Sequence, residues 1–123
     1  MGVFLNNWAN GSLKDVADDF GISLDDERMT DVDIILATYG TDNWSGDAFV
    51  LFRKDGKLYE VNGGHCSCYG LNESSYSGDT DTQWRPEETS IESIKVRLNS
   101  GMGKDVYSGN VFHDELVKVI SEL

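Results

Sequence analysis

The sequence predicts an α+β fold: a small three-stranded antiparallel meander sheet packed with about three helices, in the order α-β-β-β-α-α, with residues 1–123 forming a single domain. Three observations predict it. Two apolar runs of strand length, "VDIILATY" (32–39) and "DAFVLF" (47–52), precede an Asp55-Gly56 pair and a third alternating segment, Leu58 to Val61. An Asp-Gly turn between alternating segments is the strongest short-range hairpin signal. Helical periodicity lies outside this block on both sides, and segregated elements argue for helices on one face of an antiparallel sheet. A chain of 123 residues, 39% of them apolar, buries roughly two thirds of its unfolded surface and folds without staples.

The first helix is read from "SLKDVADDFG", where Leu13, Val16, Ala17 and Phe20 recur at helical spacing. Ser12 with Asp15 resembles a capping box and Gly21 supplies the stop. In the hairpin, Phe49 and Leu51 alternate with Val50 and Phe52, which puts one face against helices and leaves the other partly covered. Residues 72–82, "NESSYSGDTDT", are polar and aperiodic and read as a loop. In "QWRPEETSIESI", Thr89 and Glu92 match T-x-x-E, Ile91, Ile94 and Leu98 make a helical stripe, and Gly101 and Gly103 end it. The last helix is expected to start near Asn110, with Phe112, Leu116, Val119, Ile120 and Leu123 inward and Asp114 and Glu115 near its positive N-terminus.

Charge is the most unusual total: 22 acids against 10 bases give −12. Such a field repels nucleic acid and anionic membranes and attracts basic surfaces. Ten of the acids fall between residues 15 and 47, against Lys14 and Arg28. No apolar run is long enough to span a bilayer, and the N-terminus lacks the pattern of a secretory signal, so a cytoplasmic protein is expected. "MGVFLN" opens like a myristoylation signal, but Asn6 stands where Ser or Thr is required.

"GGHCSCYGL" (63–71) gathers both cysteines and one of the two histidines. His65, Cys66 and Cys68 are the candidate metal ligands, and zinc needs a fourth from His113 or a carboxylate. On a strand the two cysteines point one way, about 6.6 Å apart by rise, and His65 points the other way. A Cys66–Cys68 bridge would close a very small strained ring, and cysteine catalysis would need His113 brought in by the fold. The reading preferred is that the thiols pack as small hydrophobes, with no cofactor bound. Asp79-x-Asp81 and Asp25-Asp26-Glu27 do not match a calcium loop. Glu87 and Glu88 sit where a helix N-terminus favours acids. Trp44, in "YGTDNWSGD", and Tyr76, in "SSYSG", lie in loops and with Trp8 and Trp84 are candidates for exposed aromatics. The competing expectation is that Trp44 and Trp84 plug the open sheet face, and it is favoured for Trp84.

The stretch "DAFVLFRKDGKLYEVNGGHCSCYGL", followed by "QWRPEETSIESI", resembles a group of small uncharacterised proteins of tailed phages and some bacteria. The shared order is G-x-A-F-V-L-[FY], D-G-x-L-Y-E-V, H-C-S-C-Y-G-L and W-x-P-E-[ET]-[TS]. The likeness covers residues 46 to 94, about two fifths of the chain, and the HCSCYGL heptad is its most specific part. Residues 72–82 form a long polar insert relative to that pattern, and the acidic N-terminal third lies outside it. The resemblance implies a phage or prophage protein in a bacterial host cytoplasm and transfers no site residue.

The functional expectation is a small acidic, non-enzymatic inhibitor or binding protein, a phage counter-defence factor of anti-CRISPR or anti-restriction type. Its acidic surface would imitate nucleic acid on a basic host protein or nucleoprotein complex. The residues expected to carry it are Asp15, Asp18, Asp19, Asp25, Asp26 and Glu27, with Trp44 and Asp47 secondary. The alternative is a zinc- or thiol-dependent activity centred on His65, Cys66 and Cys68. A third option is a minor phage component with an acidic homo-oligomeric surface, and a homodimer is among the expected partners.

Overall fold

The computed structural model describes residues 2–42, 45–65, 84–104 and 110–123. Its frame is a five-stranded mixed sheet whose spatial order follows the chain: β1 (Val3–Asn6), β2 (Asp33–Asp42), β3 (Ser45–Lys54), β4 (Lys57–His65) and β5 (Glu87–Glu88). β1 runs parallel to β2, and every other neighbouring pair is antiparallel. Helix α1 (Leu13–Phe20) connects β1 to β2, and α2 (Ile91–Asn99) and α3 (His113–Ser121) come last. The expected three-stranded antiparallel meander is thereby corrected. It exists as β2–β4, but a parallel strand is added on one edge and a two-residue strand on the other, within the same α+β class.

The helices also cover both faces of the sheet rather than one. The cause is the composition of β2, β3 and β4, where both alternating sets are apolar. Ile34, Ala37, Val50, Phe52 and Val61 pack with Val16, Ala17 and Phe20 of α1. Leu36, Phe49 and Leu51 pack with Ile94 and Leu98 of α2 and Leu116 and Ile120 of α3. The β2–β3 register skips Ile35 between Ile34 and Leu36. This bulge adds one residue to β2 and places Ile35 beside Leu36 on the α2–α3 side.

On the α1 side, six aromatic rings form a continuous chain. Tyr39 contacts Trp8 (5.2 Å between centroids), Trp8 contacts Phe20 (6.2 Å), Phe20 contacts Trp84 (5.2 Å), and Trp84 stacks on Phe52 (5.4 Å), which stacks on Tyr59 (5.6 Å). Trp8 and Trp84 are 2% and 3% exposed. The expectation of exposed rings therefore fails for both, and the plugging role favoured for Trp84 is what the structure has. Trp44 and Tyr76 lie outside the described residues, as do the 72–82 loop, the Asp79-x-Asp81 pair, Cys66 and Cys68.

Local signals explain the element ends. The Asp15 carboxylate accepts the Ser12 backbone N–H at 2.8 Å, and Gly21 closes α1 in the left-handed region at φ 73°. Asp55 and Gly56, at φ 54° and 77°, have the two positive φ angles that a two-residue type I′ hairpin turn requires. Ser90, not Thr89, caps α2, its hydroxyl accepting the Ser93 N–H at 3.1 Å. Glu87 and Glu88 pair with Glu60 and Tyr59 as β5 and precede the cap instead of entering the helix. α3 begins at His113 rather than near Asn110, and Leu123, expected inward, is exposed. Among the described residues no helix is long and apolar enough to cross a membrane.

Candidate functional site

Six of the expected site residues lie on α1 and the turn that follows it. Asp15, Asp18 and Asp19 stand at i, i+3 and i+4 on the exposed side of α1, opposite buried Val16, Ala17 and Phe20. Asp25, Asp26 and Glu27 follow in the segment that enters a 3-10 turn at Glu27–Met29. Met29 and Ile22 are buried and pin this segment to the α1 side of the sheet, so the six acids share one layer.

Their carboxylates differ in what they hold. Asp15 spends an oxygen on the Ser12 cap. Asp18 pairs with Lys14 at 2.8 Å, both side chains well exposed, and that hydrogen bond raises the Lys14 ammonium pKa. Asp19 accepts the indole N–H of buried Trp8 at 2.6 Å. Asp26 is gripped by Arg28 through the side chain, at 3.0 and 2.9 Å, and through its backbone N–H at 2.9 Å. Those hydrogen bonds, side chain first, lower the Asp26 carboxyl to about 2. Asp25 and Glu27 stand exposed. Between residues 12 and 33 there are eight carboxylates against Lys14 and Arg28.

The placement of these acids along α1 runs against the helix dipole. Acids near a helix N-terminus are favourable and acids near its C-terminus are not, each by about 0.3–1 kcal/mol. α1 has Asp15 in its first turn but also Asp18 and Asp19 in its last, with no base there. α2 has Glu92 first and Arg97 last, and α3 has Asp114 and Glu115 first and Lys118 last. Two helices of the molecule follow the rule and the acidic one departs from it.

Asp47 does not join this group. The period of two along β3 places it with Phe49 and Leu51 on the α2–α3 side, between Gly40 of β2 and Gly64 of β4 in the register. It lines a cleft of about 270 Å³ with Phe49, Asn62, Met102, Asn110 and Phe112. Trp44, the other secondary residue, lies outside the described residues.

Two polar groupings were missed in the sequence. Glu60, buried on β4, is forked by the Arg97 guanidinium from α2 and accepts Asn62 Nδ2–H at 3.0 Å. Burial pushes the Glu60 carboxyl up, and the hydrogen bonds from Arg97, Asn62 and Thr89 outweigh it, leaving it below the usual range. Asn6 donates to Thr38 Oγ1 at 2.8 Å, and the Thr38 hydroxyl donates to Asn110 Oδ1, which ties β1, β2 and the approach to α3 together. Glu60 alternates with apolar Tyr59 and Val61 and reads as a solvent position. Only a partner 37 residues away reveals otherwise.

For the metal reading, the backbone of His65 ends β4 opposite Gly46. His113, the suggested fourth ligand, has Nε2 3.2 Å from the Leu98 carbonyl and Nδ1 3.2 Å from Asp114. Among the described residues no three His, Cys, Asp or Glu side chains come together to hold a metal ion. Comparisons with protein-family models, with curated proteins and with solved structures find no match for this chain.

Proposed function

We propose that this is a small acidic, non-enzymatic binding protein whose α1 layer docks on the basic, nucleic-acid-binding surface of another protein or nucleoprotein complex. The observation that carries the reading is the pair Asp18 and Asp19 in the last turn of α1. Both acids oppose the dipole, which the exposed Lys14 pair of Asp18 and the Trp8 indole held by Asp19 offset only in part, and departures from local rules of this kind mark functional surfaces. A charge used for solubility alone would be spread over both helical layers, whereas α2 and α3 together carry three acids and three bases. Carboxylates about 5–6 Å apart along a helix present a row of negative charge to Lys and Arg side chains that otherwise grip phosphates. With the resemblance to phage proteins, the partner is a host defence complex in a bacterial cytoplasm, and the chain acts by occupying its nucleic-acid site.

The test reverses the acids whose side chains hold least of the fold, Asp18→Lys, which gives up only an exposed pair with Lys14, Asp25→Lys and Glu27→Lys together. The immobilised parent should retain basic proteins from a bacterial lysate at about 50 mM salt and release them at about 500 mM, where screening is nearly complete beyond a few ångströms. The triple variant should retain none. Retention that survives both the reversal and the salt would sink the reading.

A further inference from the structure

The cleft that Asp47 lines opens on the α2–α3 side of the sheet, away from the α1 acids. Its floor is apolar: Phe49 and Phe112 stack at 5.2 Å between ring centroids, with Met102 packed against the same cluster. Its polar side chains are Asp47, Asn62 and the buried Asn110. Asp47 is exposed, and among the described residues no base pairs with it and no donor holds it. Lys104, next to Gly103 of the lining, is also exposed and makes no ion pair among them. The Asn62 amide donates to Glu60 Oε2 at 3.0 Å, so its Oδ1 is left to accept. The register neighbours of Asp47, Gly40 and Gly64, have no side chain to crowd it. A methyl at Gly64 would stand 3.1 Å from Asp47 Oδ1, closer than ordinary contact. Glycine inside a strand weakens it and marks places where a ligand or another backbone comes close.

We infer that this cleft binds a small organic cation, a guanidinium or ammonium group on an apolar stem. The head pairs with the Asp47 carboxylate and donates to the Asn62 carbonyl, and the stem lies on Phe49, Phe112 and Met102. An anion is repelled by the carboxylate, and a neutral apolar ligand would cover Asp47 without a partner, at a desolvation cost. An apolar lining with a few placed polar groups is the ordinary form of a small-ligand site. At about 270 Å³ the cleft falls just below the roughly 300–1,000 Å³ of drug-sized sites. It therefore suits one small molecule or one side chain. A free cation and an arginine side chain of a bound protein share this chemistry, and the test separates them. The inference goes beyond the proposed function and does not depend on it, because that reading rests on the α1 layer across the sheet.

Two-dimensional NMR of the full isotope-labelled chain, titrated with n-butylguanidinium, tests it. The side-chain amide of Asn62 and the backbone amides of Gly64 and Met102 should shift and saturate with a Kd on the order of 1 mM, the range of weak complexes. Pentanoate, of similar length and opposite charge, should shift none of them. Asp47→Asn keeps the shape of an exposed side chain, so its spectrum should match the parent's away from the cleft. Its affinity should fall about tenfold or more, as for a lost hydrogen bond to a charged group. Glu122→Gln, which removes one charge elsewhere on the α2–α3 layer, should bind as the parent does. A capped tripeptide with arginine at its centre that binds at least as tightly as butylguanidinium identifies a partner's side chain as the source. One that binds more weakly identifies a free cation. The absence of a saturating shift up to about 10 mM, equal shifts with pentanoate, or an Asp47→Asn affinity equal to the parent's overturns the proposal.

Discussion

α1 buries Val16, Ala17 and Phe20 against one face of the sheet, while α2 and α3 bury Ile94, Leu98, Leu116 and Ile120 against the other. Inward, the two layers are alike. Outward they differ: α2 and α3 grade their charges from acid to base along the chain as the dipole favours, and α1 ends in two aspartates. The inner side of a helix is under the demand of packing, and the outer side is free to record another demand. Asp19 and Glu60 show how each layer also anchors a carboxylate. Asp19 takes one neutral indole donor at the surface, whereas Glu60 is enclosed and matched by a guanidinium.

The largest expected effects probe whether the layers are equal inside. Phe20→Ala should cost about 3–5 kcal/mol and Leu116→Ala about 2–5 kcal/mol in urea denaturation, the range for emptying a packed core. A Phe20→Ala cost below about 1 kcal/mol would show that the α1 layer is not integral to the core. Next, Arg97→Ala strands the Glu60 carboxylate and should cost about 2–3 kcal/mol. That is below the value for a fully enclosed pair because the Arg97 side chain is 37% exposed.

That second effect is pH-dependent. Glu60 is held below its ordinary value of 4.5, so its contribution is complete above that pH and is lost as pH falls through the folded value. The gap between parent and Arg97→Ala should close as pH falls through that lowered folded value, which denaturation curves taken at stepped pH would show.

Smaller still is Trp8→Phe, which keeps most of the ring packing but removes the N–H donated to Asp19. It should cost about 1–2 kcal/mol, the net worth of a hydrogen bond to a charged group, as read from the unfolding midpoint. The smallest is Asp18→Asn, which loses an exposed ion pair with Lys14 and a carboxylate opposed to the dipole. The parent's stability should change by no more than about 0.5 kcal/mol. Partner retention should nonetheless fall, and a clear loss of stability would assign Asp18 to the fold and weaken the contrast between the layers.

How far the sequence was legible follows from the range of each interaction. The β2–β4 meander, the Asp55-Gly56 turn, the Ser12–Asp15 box and the Gly21 stop are fixed by residues within a few positions of one another, and all are present. β1 was missed because "VFLN" is four residues without polar alternation, and its partner Leu36–Tyr39 lies 33 residues on. β5 was missed because Glu87 and Glu88 have low strand propensity and follow Pro86. Their pairing is dictated by β4 rather than by their own preference. Thr89 and Ser90 both suit a cap, and nothing local separates them. At the candidate site, Asp15 to Glu27 were legible as a cluster because charge density is a local property. The separation of Asp47 from them needed the phase of β3, and the indole held by Asp19 needed tertiary contact.

One consequence of the sheet concerns time rather than stability. Its spatial strand order is the sequence order, so each new strand docks on the one made before it. The β2–β3 and β3–β4 pairings close only short loops, whereas β1 must wait for the whole α1 segment to form before it meets β2. Refolding is then expected to begin in the central hairpins and to finish with the elements held by long-range contacts, the first strand and the α2–α3 layer, whose Asn110 lies 72 residues from Thr38. In hydrogen exchange the same order runs in reverse: Val3 to Asn6 open first, and the amides of Val50 and Phe52 open last.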